Sequence, residues 1–255
     1  IRYLEQYDFA VVRESLRERR ILALGAPHLV EQTRFVMPAW RWSKPSAPLL
    51  GAGVGLYDLL SFDRNRHAPE SLRIPHPRWL SKKSLLQSVP WLDPSGLMGG
   101  FAYHDTMNIH PERLLLAYAK SAEAAGAVLV NHVSCEGFLA AGGDDRLIVE
   151  GVRATDRMTG SRIDIRANVV VNAAGPWIDR VLAALGRESG VGVDRSKGVH
   201  ILTRPLGGGV VRDAVFARAK SGRHVIVSPW MGKSFIGPTD TPEASDDIAA
   251  TSADV

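Results

Sequence analysis

Residues 169–178 read Val-Val-Val-Asn-Ala-Ala-Gly-Pro-Trp-Ile, and no other run constrains the fold as much. Three β-branched residues in succession suit a strand covered on both faces. Ala173, Ala174 and Gly175 then leave room at the strand end, where a backbone can lie close to a flat ring or a pyrophosphate. Pro176 suits the first turn of a helix, and Trp177, Val181, Leu182 and Leu185 continue it with one apolar face. The same pattern fits an ordinary strand-to-helix turn, and the local sequence does not separate the two.

The segments around this run decide the class. Leu4, Phe9, Val12, Leu16 and Leu22 recur at helical spacing among Glu and Arg, and Gly25 with Pro27 marks the stop. Residues 35–100 are rich in Pro, Trp and Ser and read as short helices and ordered loops. Helical patches stand at Gly55 to Leu60 and at Ser81 to Ser88, with Ser81 as N-cap. Phe101 to His104 reads as a strand, and Pro111 opens a helix through Leu114, Leu115, Tyr118 and Ala122 that Gly126 ends. Ala127 to His132 reads as a strand. Gly137 to Ala140, Leu147 to Ala154 and Arg162 to Ile165 alternate like a meander, with turns at 142–145 and 158–160. Further strands are expected at Val199 to Thr203, Val210 to Ala217, His224 to Ser228 and Ser234 to Ile236, before a polar tail from Glu243. Helix, strand, antiparallel insertion, strand and helix in that order describe the later half of a nucleotide-binding α/β domain.

Composition narrows the function classes. The 255 residues carry 45% hydrophobic and 23% charged residues, the profile of a globular protein with a sizeable core. The formal charge is +4, and the basic residues are scattered rather than interleaved with aromatics in one stripe, which disfavours nucleic acid. Cys135 is alone, so neither an intrachain disulfide nor a cysteine-based metal cage can form, which favours a reducing compartment. The longest apolar stretch, Ala47 to Leu60, is shorter than the ~20 residues that cross a bilayer. Gly51 to Gly55 mimics a dinucleotide loop but follows a proline-rich segment instead of a strand. His104, His110 and Glu112 have no tight metal-ligand spacing, and no metal is expected.

Taken together, the blocks resemble one family. They are Ile1 to Glu5, Glu18-Arg19-Arg20 leading to Ala26 to Val30, Gly55 to Leu60, Val171 to Trp177, Lys197 to Ile201, and Pro229-Trp230 leading to Gly237 to Thr241. In this order they resemble the FAD-dependent glycerol-3-phosphate dehydrogenases of the respiratory type, within the D-amino-acid-oxidase-like flavoproteins. The likeness runs from end to end. It implies a mixed α/β chain holding part of an FAD-binding Rossmann-like domain, at 1–40 and 101–188. An antiparallel-sheet substrate or cap domain is implied at 41–100 and 189–255.

The resemblance also implies chemistry: oxidation of sn-glycerol 3-phosphate to dihydroxyacetone phosphate, with hydride passing to FAD and electrons to a quinone. Such a reaction needs a base for the hydroxyl proton, cations for the phosphate and a fixed flavin. Arg2 and Tyr3 match a pair lining the substrate pocket, and His200 matches a histidine facing the flavin, so these three are the implied catalytic residues. Thr239 and Asp240 match a loop beside the substrate, and Lys197 could add positive charge. Val133, Ala173, Ala174, Gly175 and Trp177 are the implied FAD contacts. The bland alternatives are a surface arginine at Arg2, a structural histidine at His200 and an Asx turn at Asp240. The resemblance further implies a cytoplasmic protein in peripheral contact with the inner face of the membrane. An oxidase of the same fold, acting on an amine or on the same phosphate, and a silent interaction domain are the alternatives. Acidic residues are more usual where Ile109-His110-Pro111 stands, and threonine where Pro238 stands.

The chain opens at Ile1 without Met and reads as a piece of a longer polypeptide. The family's Gly-x-Gly-x-x-Gly loop and ribose-binding acid are expected before Ile1, and its later arginine- and glycine-rich segments after Val255. Weak FAD retention and no turnover are therefore expected of the chain alone.

Overall fold

A computed structural model describes residues 2–142, 146–186, 192–209, 212–219 and 222–243, with the side chain of Arg2 excluded. The turn expected at 142–145, the opening of the strand expected from Val210, and the tail past Glu243 lie wholly or partly outside the described residues. The chain divides into two compact units, one containing Ile1–Ala117 and Gly198–Asp240, the other Tyr118–Lys197 and residues 241–243.

In the first unit, a short 3-10 turn (Arg2–Gln6) precedes α1 (Phe9–Gly25), whose first turn is capped by Asp8 accepting the Val11 N–H at 3.0 Å. Then come β1 (Val30–Trp40), α2 (Ala47–Leu60), β2 (Arg78–Ser81), α3 (Lys82–Ser88) and β3 (Leu97–Asn108). Ser81 caps α3 as expected, accepting the Ser84 N–H. Helix α4 (Pro111–Ala124) closes this stretch. The remaining strands of the unit are β8 (Ile201–Thr203), β9 (Ala214–Arg218), β10 (His224–Trp230) and β11 (Lys233–Gly237). Among the described residues they build a seven-stranded sheet in the order β2-β3-β1-β9-β10-β11-β8. It is mixed, because β1 runs antiparallel to β3 and parallel to β9.

Strand alternation gives this sheet two apolar faces. Val36, Ala102, Val215 and Val227 point to one side, beneath Leu85 and Val89 of α3 and its exit, with Leu92 and Trp40. Met37 and Tyr103 point to the other, with Phe35, Phe101 and Phe216, against Val12 and Leu16 of α1 and Val54 and Tyr57 of α2. Fully burying a side chain such as Leu85, which is 0% exposed, contributes about 2 kcal/mol or more. The core of the chain lies here.

The second unit takes in the end of α4, the meander β4 (Val133–Ala141), β5 (Ile148–Asp156) and β6 (Arg162–Arg166), then α5 (Ile178–Ala183) and the ladder of β7 (Ser196–Lys197) with β12 (Thr241–Pro242). Leu139 and Ala154 are its buried apolar side chains among the described residues.

Two differences from the sequence reading stand out. First, the proline- and tryptophan-rich region contains β1 and β2, and β1 is an inner strand. Its polar start hides it: Glu31, Gln32, Thr33 and Arg34 look unlike a buried strand, and Pro38 argues against one. Arg34 is there because Asp213 accepts from two nitrogens of its guanidinium, Nε at 2.7 Å and Nη2 at 2.6 Å. Pro38 lies past Phe35 and Val36, the two residues that pair with β9. Second, residues 127–132 and 169–172 are not strands. A ladder needs a partner backbone, and no strand among the described residues pairs with either segment. Val128, Val130, Val169 and Val171 are accordingly exposed.

Candidate functional site

His200 stands just ahead of β8, and β11 determines its surroundings. The ladder pairs Ile201 with Ile236 and Leu202 with Phe235, so continuing the register by one residue sets His200 opposite Gly237. Across a sheet, a long side chain also reaches the diagonal neighbour two residues along. The imidazole does this: it stacks on Phe235 with ring centroids 4.1 Å apart and planes 8° from parallel, and Trp230 continues the aromatic cluster at 5.8 Å from Phe235. Gly237 has φ +149°, and a Cβ there would come within 2.8 Å of His200 Cδ2 and 2.9 Å of the Val199 carbonyl oxygen. Only glycine fits.

The backbone beside the ring is pinned as well. The Val199 N–H donates to Thr239 Oγ1 at 2.9 Å, and the Thr239 N–H donates to the Val199 carbonyl at 3.0 Å. Thr239 is buried and Asp240, next to it, is exposed. His200 and Thr239 are thus brought together, with Thr239 holding the strand that carries the imidazole. Partial desolvation lowers the His200 pKa below the ordinary imidazole value, which favours the neutral ring with a free acceptor nitrogen.

Arg2 and Tyr3 fall in the 3-10 turn before α1. The Arg2 side chain lies outside the described residues. Tyr3 is half exposed, and no hydrogen bond joins it to His200 among the described residues. A contact between Glu5 Oε1 and Nε2 of His224 in β10, at 3.5 Å, ties this turn to the sheet.

The implied cofactor contacts belong to the second unit. Val133 opens β4, opposite Asp156 of β5, and Lys197 lies in β7 opposite Thr241. Residues 172–178 form a compact turn: Asn172 Oδ1 accepts the Ala174 N–H at 3.2 Å, and Asn172 Nδ2 donates to the Ile178 carbonyl at 3.0 Å. A single 3-10 turn at Gly175–Trp177 then leads into α5. Gly175 takes φ +57°, and nothing lies within 4 Å of where its Cβ would stand. Ala173, Gly175 and Trp177 are exposed on this turn. Small residues around an open, left-handed backbone leave the clearance that a flat ring or pyrophosphate requires. The residues present therefore fit a dinucleotide cofactor on this side.

Sequence reasoning missed the groups that hold these parts. Arg195 donates from Nε to the Pro176 carbonyl at 2.8 Å and from Nη2 to Asp179 Oδ1 at 2.6 Å, clamping the turn from outside. Phe235 stands out in the sequence only as a strand residue, and Gly237 only as the first residue of a block that resembles the family. Their signal is the register with His200, which no local pattern reveals.

The model of the family described as FAD dependent oxidoreductase matches residues 1–255. The chain belongs to that family. It is 34% identical to a glycerol-3-phosphate dehydrogenase of Synechocystis sp. over 249 residues, covering 94% of this chain and 43% of that protein. An alpha-glycerophosphate oxidase of Streptococcus pneumoniae is 32% identical over 250 residues, covering 96% and 39% respectively. The crystal structure of a glycerol-3-phosphate dehydrogenase from Bacillus halodurans, complexed with FAD, superposes with a TM-score of 0.68 at 29% identity, covering 92% of this chain and 39% of that one. The chain thus spans about two fifths of the length of these relatives. The mixed α/β class and the flavoprotein family expected from the sequence are both borne out. No helix among the described residues is long and apolar enough to cross a membrane.

Proposed function

We propose that this chain forms part of an enzyme that oxidises sn-glycerol 3-phosphate to dihydroxyacetone phosphate. The observation that carries the proposal is His200: a neutral, accessible imidazole held in one orientation, in a chain whose relatives bear the names of glycerol-3-phosphate dehydrogenases. The alcohol must lose a proton from oxygen and a hydride from the adjacent carbon. FAD, when bound, supplies the hydride acceptor. His200 takes the hydroxyl proton on its free ring nitrogen, Arg2 balances the phosphate charge and Tyr3 hydrogen-bonds a substrate oxygen. Thr239 holds the His200 strand, and Asp240 lies beside it for contact with substrate. Ala173, Ala174, Gly175 and Trp177 would hold the flavin dinucleotide, and the Val133 backbone would pair with its adenine. In this proposal 1–40 and 101–188 are parts of the FAD-binding domain and 41–100 and 189–255 are parts of the substrate-binding or cap domain, with Arg2 and Tyr3 serving the substrate from the first.

The electrons pass to a quinone, in peripheral contact with the inner face of the cytoplasmic membrane. A second reading has oxygen as acceptor, and the likeness to the alpha-glycerophosphate oxidase favours it. Full-length protein supplied with glycerol 3-phosphate separates the two: anaerobic reduction of a quinone analogue supports the dehydrogenase, and stoichiometric peroxide in air supports the oxidase. In the same protein Arg2→Ala should raise KM for glycerol 3-phosphate about tenfold or more, as loss of a charge-assisted phosphate contact does. An unchanged KM would remove Arg2 from the site.

A further inference from the structure

The residues around His200 do more than fill space. A histidine in an exposed strand normally samples several rotamers. Here the position opposite it is empty, because Gly237 has no side chain, and the diagonal position presents a flat aromatic face. The ring falls across the glycine onto Phe235, as aromatic side chains do when they cover a cross-strand glycine. The two features act together. A side chain at Gly237 would strike Cδ2 and Cγ of the imidazole, at 2.8 and 3.1 Å from the added Cβ, and push the ring off its platform. Without the platform the ring would turn freely over the gap.

We propose that Phe235 is a positioning residue for His200, with Gly237 as the clearance that lets the ring lie flat on it. The proposal rests on the reading of His200 as the base for the substrate hydroxyl. Its physical content is separate, and can be measured without substrate. Phe235 covers one ring face and leaves the nitrogen-bearing edge free, so the proton-accepting atom has a fixed direction while the ring is kept partly from water. Desolvation is what lowers the pKa of the ring. Removing the covering face should relieve that desolvation. Hydration of the imidazolium is restored, and the midpoint rises.

Nitrogen-15 spectra of histidine-labelled chain test this, because ring nitrogen shifts report both tautomer and protonation. Phe235→Met keeps apolar volume on β11 but removes the flat face. It should raise the His200 midpoint by about half a pH unit or more and mix the two tautomers, with the backbone amide map of β10 and β11 unchanged. Phe235→Tyr restores the face and should restore the native midpoint and tautomer. If F235M leaves midpoint and tautomer as they were, or if F235Y disturbs them as much as F235M, Phe235 is ordinary packing and the proposal falls. Should F235M fail to fold, F235L is measured for the same two outcomes. In flavin-loaded full-length protein, F235M should also move the acid limb of kcat/KM to higher pH while KM for glycerol 3-phosphate changes less than twofold. His200→Asn separates the layers. Turnover that survives H200N removes the base assignment, while the histidine spectra still decide whether Phe235 orients the ring.

Discussion

At the scale of single residues, buried charge does most to define the first unit. Arg34 and Asp213 each directly precede paired residues of β1 and β9, Phe35 and Ala214, so their bidentate contact fixes the parallel register from its first step. Asp213 is 4% exposed, and the hydrogen bonds between the two raise the Arg34 pKa. The second set is Asp63, which takes both arms of Arg13 at 2.7 and 2.8 Å and one of Arg20 at 2.6 Å, and whose carboxyl Arg13 holds below the usual range. The Asp213 pair is the more consequential, because a carboxylate left in a dry site keeps its whole desolvation cost. Arg34→Ala should lower unfolding free energy by roughly 3 kcal/mol in urea titration. The double variant R34A/D213A should recover part of that loss, since the orphaned charge has gone. Arg166→Ala, which breaks an exposed pair with Glu150, should leave the transition where it is. Equal losses for Arg34 and Arg166 would mean that burial does not set the cost of breaking these pairs.

At the scale of elements, local chemistry set what the sequence revealed, and partnership set what it concealed. The α1 helix was legible from its apolar spacing, although its start was not: the chain forms a separate 3-10 turn first, and Asp8 begins the helix proper. Asp8→Ala should cost about 1 kcal/mol, the usual worth of an N-cap, and Asp8→Asn much less. Thermal unfolding of the two variants checks this, and equal destabilisation would mean that the carboxylate acts through something other than the Val11 N–H. The meander β4–β6 and the cap of α3 were likewise readable, because turn residues and caps act over three or four positions. Strand β1 was not, since Arg34 belongs in a sheet only through Asp213, 179 residues away. The site divides in the same way. His200 and the Ala-Ala-Gly turn were visible as residue types in sequence order, whereas Phe235, Gly237 and Arg195 acquire their roles from register and from long-range hydrogen bonds.

At the scale of the whole molecule, the two units bury very different amounts of apolar surface, and stability should follow. The first unit has apolar clusters on both faces of its seven-stranded sheet. The second has Leu139 and Ala154 as its buried apolar side chains among the described residues, and it carries exposed Val128, Leu129, Val130, Val169 and Val171 on segments without a ladder. Side-chain chemistry alone marked both valine-rich runs as strands, and the one at 169–172 as a buried one. That chemistry specifies an extended chain suited to burial, but protection from water requires a neighbouring backbone. Amide hydrogen exchange of the chain separates preference from pairing. Amides at 128–130 and 169–171 should exchange near the rate of an open chain, those of β4 and β5 at an intermediate rate, and those of β1 and β3 only by opening of the whole first unit. The contrast between β1 and the valine runs should reach several orders of magnitude, because free energies of local opening range from near zero up to the global value. Slow exchange at 169–171, matching β1, would show that this chain finds a partner for those residues in solution. The turn at Ala173 to Gly175 would then be held by a sheet as well as by Asn172 and Arg195.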